Sequence, residues 1–181
     1  NEYRVVQFSL SGKYIVGGDD EGITIYKANS SDLNSKIQRI EETDYGKFGR
    51  IYSIRFILND KYIIVGDWDK AVVIQIEDMK MFLSCDCIQH SAYNISDFYN
   101  GQVVVSNGKG FYIWSIREKE FKCVAEVKDY GIEDMKYLVS HNFLIIVADK
   151  SKALIWSVTQ KKCIGRLENV TEMIDKIAYS E

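Results

Sequence analysis

Two cysteines and a histidine form the cluster with the clearest chemical potential in this chain. Cys85, Cys87 and His90 follow the pattern C-x-C-x2-H. Residues two apart on an extended strand share a face, so the two thiols could converge on a zinc ion. A structural zinc site needs a fuller set of ligands, usually in two spaced pairs, and no second pair lies nearby in the sequence. The pattern favours a structural role over a metal site, and we expect no metal and no other cofactor.

Nucleophilic catalysis is the second chemistry that cysteine and histidine offer. It requires a base beside the thiol, and His90 and His141 are the two histidines of the sequence. His141 falls in a polar turn. Cys123 and Cys163 fall at matching positions of two short apolar segments, as small buried side chains do. The pattern predicts a protein that is not an enzyme.

Charge and composition bear on several other classes of function. Two glycine-bearing turns, GGDDEG and NGKG, lack the spacing of phosphate-binding loops. The net charge is −3 and the 23 basic residues are scattered, so we expect no nucleic-acid binding. No apolar run approaches the roughly 20 residues that span a bilayer, so we expect no membrane insertion. Four cysteines do not make a disulfide framework, which favours an intracellular location, cytoplasmic or nuclear.

A repeat organises the whole chain. Four apolar segments are anchored at Tyr14, Tyr62, Gln102 and Leu144, in steps of 48, 40 and 42 residues. A second set of segments ends 12 residues after each anchor, at Tyr26, Ile74, Trp114 and Trp156. A fixed offset inside a longer period is typical of one supersecondary unit repeated several times.

Each repeat contains two further short strands. The turns between strands are rich in Gly, Asp, Asn and Ser, which suits tight reversals between antiparallel strands. Helical periodicity is nowhere sustained. The predicted first strands are Val5–Phe8, Tyr52–Ile57, Asn94–Phe98 and Ile132–Leu138, and the predicted last strands are Lys36–Ile40, Met81–Ile88, Phe121–Val127 and Cys163–Leu167. The sequence therefore predicts an all-β fold built of four-stranded antiparallel units.

Four antiparallel strands in a repeat of about 40–45 residues describe one blade of a β-propeller. Over essentially its whole length the chain resembles the WD-repeat family, best in ALIWS and the following KKCIGRLEN. Ser115 and Ser157 stand where the family has its aspartate, and Tyr26 replaces the first tryptophan. The resemblance implies blades at residues 3–41, 51–89, 93–128 and 132–168, with the first strand of a fifth at 170–181.

The number of blades raises a question of closure. Propellers contain about four to eight blades, and those resembling this family tend to the upper part of that range. An unclosed ring leaves unpaired strand edges, which folded proteins avoid. We expect the chain to be part of a larger propeller, completed by blades from the same or another chain. A ring of four blades is the alternative.

The resemblance also implies structural roles for four residues. His90 falls near the place of the glycine–histidine pair that opens a family repeat. In that position it is a buried hydrogen-bond partner of Ser106 and Trp114. Trp114 and Trp156 are then packing residues of the third strand of their blades.

One face of such a propeller carries the turns between second and third strands. Aromatic anchors rimmed by charge are typical of binding hot spots, and the first half of this face is acidic with two aromatic residues. The candidate partner-binding residues are Asp20, Glu21, Tyr45, Asp67, Trp68 and Asp69. Two alternatives stay open: Asp67 could brace its own turn, and Trp68 could be covered between blades.

These patterns predict a non-catalytic interaction scaffold that binds a protein or peptide with a basic segment near an apolar residue. Two other functions stay open. One is an architectural subunit of a large intracellular complex, such as a coat, ciliary or processing assembly. The other is the regulatory propeller of a larger enzyme chain.

Overall fold

The computed structural model describes residues 2–28, 36–43, 46–68, 70–85, 92–97, 102–107, 110–116, 132–138, 141–148 and 152–167. The chain divides into two compact units, Asn1–Ala92 and Tyr93–Glu181. The strands described in both units belong to antiparallel sheets. No helix in these ranges is long and apolar enough to cross a bilayer.

The first unit contains two four-stranded sheets. Each sheet joins its strands in sequence order. Sheet 1 consists of β1 (Val5–Phe8), β2 (Tyr14–Gly18), β3 (Ile23–Lys27) and β4 (Lys36–Ile40). A two-stranded ribbon follows, β5 (Glu42–Thr43) with β6 (Gly46–Lys47). Sheet 2 consists of β7 (Ser53–Ile57), β8 (Tyr62–Gly66), β9 (Ala71–Gln75) and β10 (Met81–Cys85).

The second unit repeats this arrangement. Sheet 3 consists of β11 (Ala92–Asp97), β12 (Gln102–Asn107) and β13 (Gly110–Ser115). Sheet 4 consists of β14 (Ile132–Leu138), β15 (Phe143–Ala148), β16 (Lys152–Ser157) and β17 (Lys162–Leu167). The predicted strands at Phe121–Val127 and in 170–181 lie outside the described residues.

The all-β prediction is confirmed, as is the antiparallel order of short strands. β1 and β14 have the predicted bounds. Central strands such as β8 and β9 are runs of Ile and Val because both of their faces are buried. The assignment of the sheets to propeller blades stays a prediction.

The register corrects one detail of the repeat. Tyr14, Tyr62 and Gln102 each lie opposite a residue 13 positions later in the chain. Phe143 starts the corresponding strand and lies opposite Ser157, 14 positions later. The fourth hairpin is therefore one residue longer than the others, and its true anchor is Phe143 rather than Leu144. The offset of 12 residues in the fourth repeat was obtained because the count began at Leu144, one residue after the start of the strand.

The two sheets of each unit pack face to face through apolar side chains. In the first unit one cluster joins Val16, Ile23 and Ile25 of sheet 1 to residues of sheet 2, including Ile63 and Val65. All five side chains are fully buried. At about 25 cal/mol per Å² of apolar surface, this burial is the main favourable contribution to the stability of the unit.

The second unit uses equivalent positions for the same purpose. Val104 and Phe111 of sheet 3 share a cluster with Met135, Leu144 and Ile146 of sheet 4. Val104 corresponds to Val16 in the hairpin register, and Ile146 corresponds to Val65. The same sheet-on-sheet contact is therefore built twice from one repeated pattern.

A buried aspartate ties the first hairpin turns of sheets 1 and 2 together. The Asp60 carboxylate accepts hydrogen bonds from the backbone N–H groups of Leu10 (2.9 Å) and Ser11 (2.7 Å). Leu58, Asn59 and Asp60 all have positive φ angles of 51–63°, a region that non-glycine residues rarely adopt. The hydrogen bonds that Asp60 accepts from the turn of sheet 1 thus connect the two sheets and offset the local backbone strain.

Candidate functional site

Asp19 organises the turn between β2 and β3. Its side chain is only 3% exposed. Oδ1 accepts the backbone N–H groups of Glu21 (2.9 Å) and Gly22 (3.0 Å), which closes the turn. Oδ2 lies 2.7 Å from Nη1 of Arg39 on β4. The carboxylate therefore fixes the backbone on which Asp20 and Glu21 project outward.

Asp67 holds the equivalent place between β8 and β9. It is 2% exposed, and Oδ1 accepts the backbone N–H of Lys70 at 2.8 Å. Oδ2 accepts the N–H of Gly49 at 3.1 Å, which fastens the link between the two sheets to the turn. These bonds correspond to the turn-bracing alternative for Asp67. Its carboxylate is directed inward, so Asp67 contributes to a binding surface by shaping it.

Trp68 follows Asp67 and lies at the tip of the turn. Its side chain is 55% exposed, while Asp67 before it and Lys70 after it are buried. The indole packs against the Tyr52 ring, with 5.9 Å between ring centroids and 43° between planes. The Arg50 guanidinium lies 5.5 Å from the centre of the same Tyr52 ring, within reach of a cation–π interaction. A partly exposed aromatic side chain is therefore supported from below by a tyrosine and an arginine.

Asp20 connects this aromatic group to the turn of sheet 1. Its carboxylate forms two hydrogen bonds with Arg4, at 2.6 and 3.0 Å, and lies 3.7 Å from Arg50. The hydrogen bond from Arg4 holds the pKa of Asp20 below its usual range. Asp20 is therefore ionised at neutral pH and shared between two arginines.

Glu21 is the outermost carboxylate of this region. Its side chain is 73% exposed and lies 3.8 Å from Arg39. Arg39 is largely occupied by Asp19 and Glu41, which raise its pKa. Glu21 thus keeps most of its surface available to another molecule. We refer to Arg4, Asp20, Glu21, Arg50, Tyr52 and Trp68 as the Trp68 surface.

An open cavity adjoins the Trp68 surface. It has a volume of about 460 Å³ and is lined by Glu2, Tyr3, Arg4, Asp19, Asp20 and Glu21. Its carboxylates outnumber its single arginine. The cavity is large enough for one side chain of a partner and has the charge to favour a basic one.

The structure adds basic residues that the sequence interpretation of this face did not include. Arg4, Arg39 and Arg50 all contact carboxylates of the turn between β2 and β3. Their sequence positions are 15 or more residues from Asp19 or Asp20, so no local pattern predicts the pairs. The face expected to be acidic is a mixed surface, in which Asp19 and Asp20 are paired and Glu21 projects outward.

Three predicted residues lie outside the described part of the chain. They are Tyr45, Asp69 and His90, and their roles stay predictions. Of the predicted partner-binding set, the structure brings Asp20, Glu21, Asp67 and Trp68 to the same end of the first unit, because their turns follow equivalent strands of two packed sheets.

The predicted packing residues lie within the second unit. Trp114 is 1% exposed. Trp156 makes an edge-to-face contact with Phe111, with 5.3 Å between ring centroids, and belongs to the border of the core cluster. The Ser106 hydroxyl and the Trp156 indole nitrogen are buried, and the described part of the chain offers neither of them a hydrogen-bond partner. The proposed bond from His90 to Ser106 stays a prediction.

Among the described residues no group of three or more His, Cys, Asp or Glu side chains is placed to hold a metal ion. Of the C-x-C-x2-H pattern, Cys87 and His90 lie outside those residues. Cys163 is a partly buried free thiol that donates a hydrogen bond to the carbonyl oxygen of Gly165 at 3.3 Å.

Comparisons with known proteins give no family for this chain. No protein-family model matches it, and no curated protein matches it significantly.

Proposed function

We propose that this chain is a non-catalytic interaction module that binds a protein or peptide through the Trp68 surface. The observation that carries the proposal is the exposure of the Trp68 side chain. A large aromatic side chain is 55% exposed at the tip of a turn whose backbone is fixed by buried hydrogen bonds. Exposed aromatic residues on rigid supports lose little entropy on binding, and Trp, Tyr and Arg are enriched at binding hot spots.

The charges around Trp68 suggest the chemistry of the partner. Arg50 and Asp20 lie beside the aromatic pair, and Asp20 is paired with both Arg50 and Arg4. Glu21 extends outward next to the open cavity. We therefore propose a partner segment with an apolar residue that packs on Trp68 and a Lys or Arg that approaches Glu21.

The repeated sheet pairs support the architecture proposed for this module. Both units pack two antiparallel sheets through equivalent positions, and each sheet follows the chain in simple order. This is how the blades of a WD-like β-propeller are built. Rigid repeats of this kind hold loops in fixed positions, and loops on rigid scaffolds commonly carry binding functions.

Affinity isolation from a cell extract tests the proposal. The wild-type protein, Trp68→Ala and Leu10→Ala serve as bait at equal concentration, with quantitative mass spectrometry of what is retained. Leu10 is a matched control because its side chain is 88% exposed and its turn is at the opposite end of the sheets. We expect a set of proteins to be retained by the wild type and Leu10→Ala and reduced at least about tenfold by Trp68→Ala, as for a hot-spot residue. Equal retention by all three would contradict the proposal.

A further inference from the structure

The sheet pairs define two faces that recur in the fold. We call the face of a sheet that packs on the sheet before it in its unit the back face, and the face that packs on the next sheet the front face. Ile54 and Phe56 lie on the back face of sheet 2, in the cluster shared with sheet 1. Met135 and Tyr137 hold the equivalent positions in sheet 4 and pack on sheet 3. The back face is thus apolar and covered in both pairs.

Sheet 1 has an equivalent back face, which the described residues leave largely exposed. Val6 pairs with Gly17 and Phe8 with Ile15, the positions that correspond to Ile54 and Phe56 in sheet 2. Val6 is 53% exposed and Phe8 is 61% exposed, whereas Ile54 is 2% exposed. Exposed, contiguous apolar side chains of this kind mark a binding surface.

Tyr3 extends the apolar back face of sheet 1. Its ring lies over Gly17, so close that a Cβ atom there would be 2.8 Å from it. It also packs edge-to-face on Tyr26 and shares a hydrogen bond with its hydroxyl. The back face of sheet 1 is therefore an ordered apolar surface, and the repeat indicates what fits it: the front face of a similar sheet.

Sheet 4 presents such a front face, which the described residues leave partly exposed. Ile145, Ile155 and Leu167 correspond in register to Val16, Ile25 and Ile40 of sheet 1. The three residues of sheet 1 are at most 9% exposed, because sheet 2 covers them. In sheet 4, Leu167 is 60% exposed, and Ile145 and Ile155 are partly exposed. One chain therefore carries both halves of a contact that it builds twice internally.

We propose that the back face of sheet 1 binds the front face of sheet 4 of a second copy of this chain. Each copy carries one face of each kind, and closed two-fold symmetry is common among homo-oligomers. The residues assigned to this contact are separate from the six residues of the Trp68 surface, and Tyr3 also lines the cavity that adjoins it.

The mass of the protein in solution is the first test. We expect sedimentation equilibrium to give twice the chain mass of 20.9 kDa at micromolar concentration. Phe8→Asp places a charge in the apolar contact and should shift the protein to monomers at the same concentration. Trp68→Ala, outside the contact, should remain dimeric. A wild type that is monomeric throughout the concentration range would overturn the proposal.

A cross-linking experiment identifies the surface that covers Phe8, whether or not Phe8→Asp folds. A photo-reactive phenylalanine derivative is placed at position 8, and the protein is mixed with an isotope-labelled wild type before irradiation. We expect cross-links from position 8 to β15–β17 of the labelled copy. Cross-links to β15–β17 of its own copy would overturn the proposal in favour of closure within one chain. Cross-links only to other segments, or none, would also overturn it.

Discussion

Two aspartates occupy the same place in successive hairpins and use their carboxylates in the same way. Asp19 and Asp67 are both nearly inaccessible, and each accepts hydrogen bonds from backbone N–H groups of its own turn. A buried carboxylate must have such partners, because leaving it unpaired costs several kcal/mol. The residues that directly follow them, Asp20 and Trp68, do not have this role in the turn and project outward. In each turn the aspartate therefore has a structural role, whereas the residue directly after it lies at the surface.

Glu21 gives a prediction on charge. Glu21→Gln keeps the shape of the side chain and removes its charge, so a basic partner segment should bind about two- to fivefold more weakly, which corresponds to the roughly 0.5–1 kcal/mol of an exposed ion pair. The measurement is the dissociation constant by titration calorimetry with the partner isolated through the Trp68 surface. Glu77→Gln is the matched control, since Glu77 is exposed in a turn at the opposite end of sheet 2. The difference should disappear at high salt, where surface charges are screened; a difference that persists would argue against an ionic contact.

Asp60 gives a prediction on pH. Burial alone raises the pKa of its carboxyl, but the hydrogen bonds from Ser11 and Leu10 outweigh it and leave the pKa lowered in the folded protein. A lowered pKa means that the group stabilises the fold above its unfolded pKa of about 3.9, and that this contribution is lost as the pH falls through the folded value. Asp60→Asn should therefore lower the unfolding free energy by about 1–3 kcal/mol at pH 7.

The pH dependence of the stability difference serves as the control for Asp60→Asn. Thermal unfolding of the wild type and Asp60→Asn is followed from pH 7 to pH 3. The two midpoints should approach one another below about pH 4, because a protonated Asp60 resembles an amide. A constant difference across the whole range would show that the charge of Asp60 contributes nothing.

At the scale of elements, one glycine decides how closely β4 approaches the turn between β2 and β3. A Cβ atom on Gly22 would lie 2.3 Å from the carbonyl oxygen of Ile40, and backbone cannot yield as a side chain can. Gly22→Ala should therefore destabilise the first unit by about 1–3 kcal/mol, as overpacking does. Chemical denaturation measures the change. Gly49→Ala is the control, because its Cβ would meet nothing closer than 3.8 Å; equal effects of the two substitutions would exclude the steric explanation.

The strands of this chain were predictable because their pattern is local. Short runs such as YIIVG and LIIVA, bounded by Gly, Asp and Asn, indicate buried strands wherever they fold. The extra residue of the fourth hairpin was not predictable, because Leu144 and Phe143 are both apolar and either could start the strand. The bulges of β9–β10 and β16–β17 depend on pairing across the sheet, which no single segment specifies.

The site was predictable in part for the same reason. Trp68 and Asp20 follow from the turns in which they lie. The pairs of Asp20 with Arg4 and Arg50 join residues 16 and 30 positions apart. The first pair forms because β1 lies beside β2, and the second joins the turn of sheet 1 to the segment that precedes sheet 2. A sequence pattern gives the charges of a face but not how those charges are paired.

At the scale of the whole molecule, the chain uses the same type of contact between two sheets in both of its units. Each unit buries the front face of one sheet on the back face of the next, and the Trp68 surface lies at the loop end of the first such pair. The central strands of sheet 2 are buried on both faces, so the turn that carries Trp68 can serve a function without affecting the core. The propeller and its WD-like character are our interpretation of this repetition.

The central claim is that Trp68 binds a partner and does not stabilise the fold. The most direct measurement compares Trp68→Ala with the wild type in two quantities, the dissociation constant for the isolated partner and the midpoint of thermal unfolding. We expect the dissociation constant to rise by at least about tenfold, the loss of about 1.4 kcal/mol or more that defines an energetically important contact residue, with the unfolding midpoint unchanged. An unchanged dissociation constant together with a lowered midpoint would contradict the account, since Trp68 would then be a packing residue.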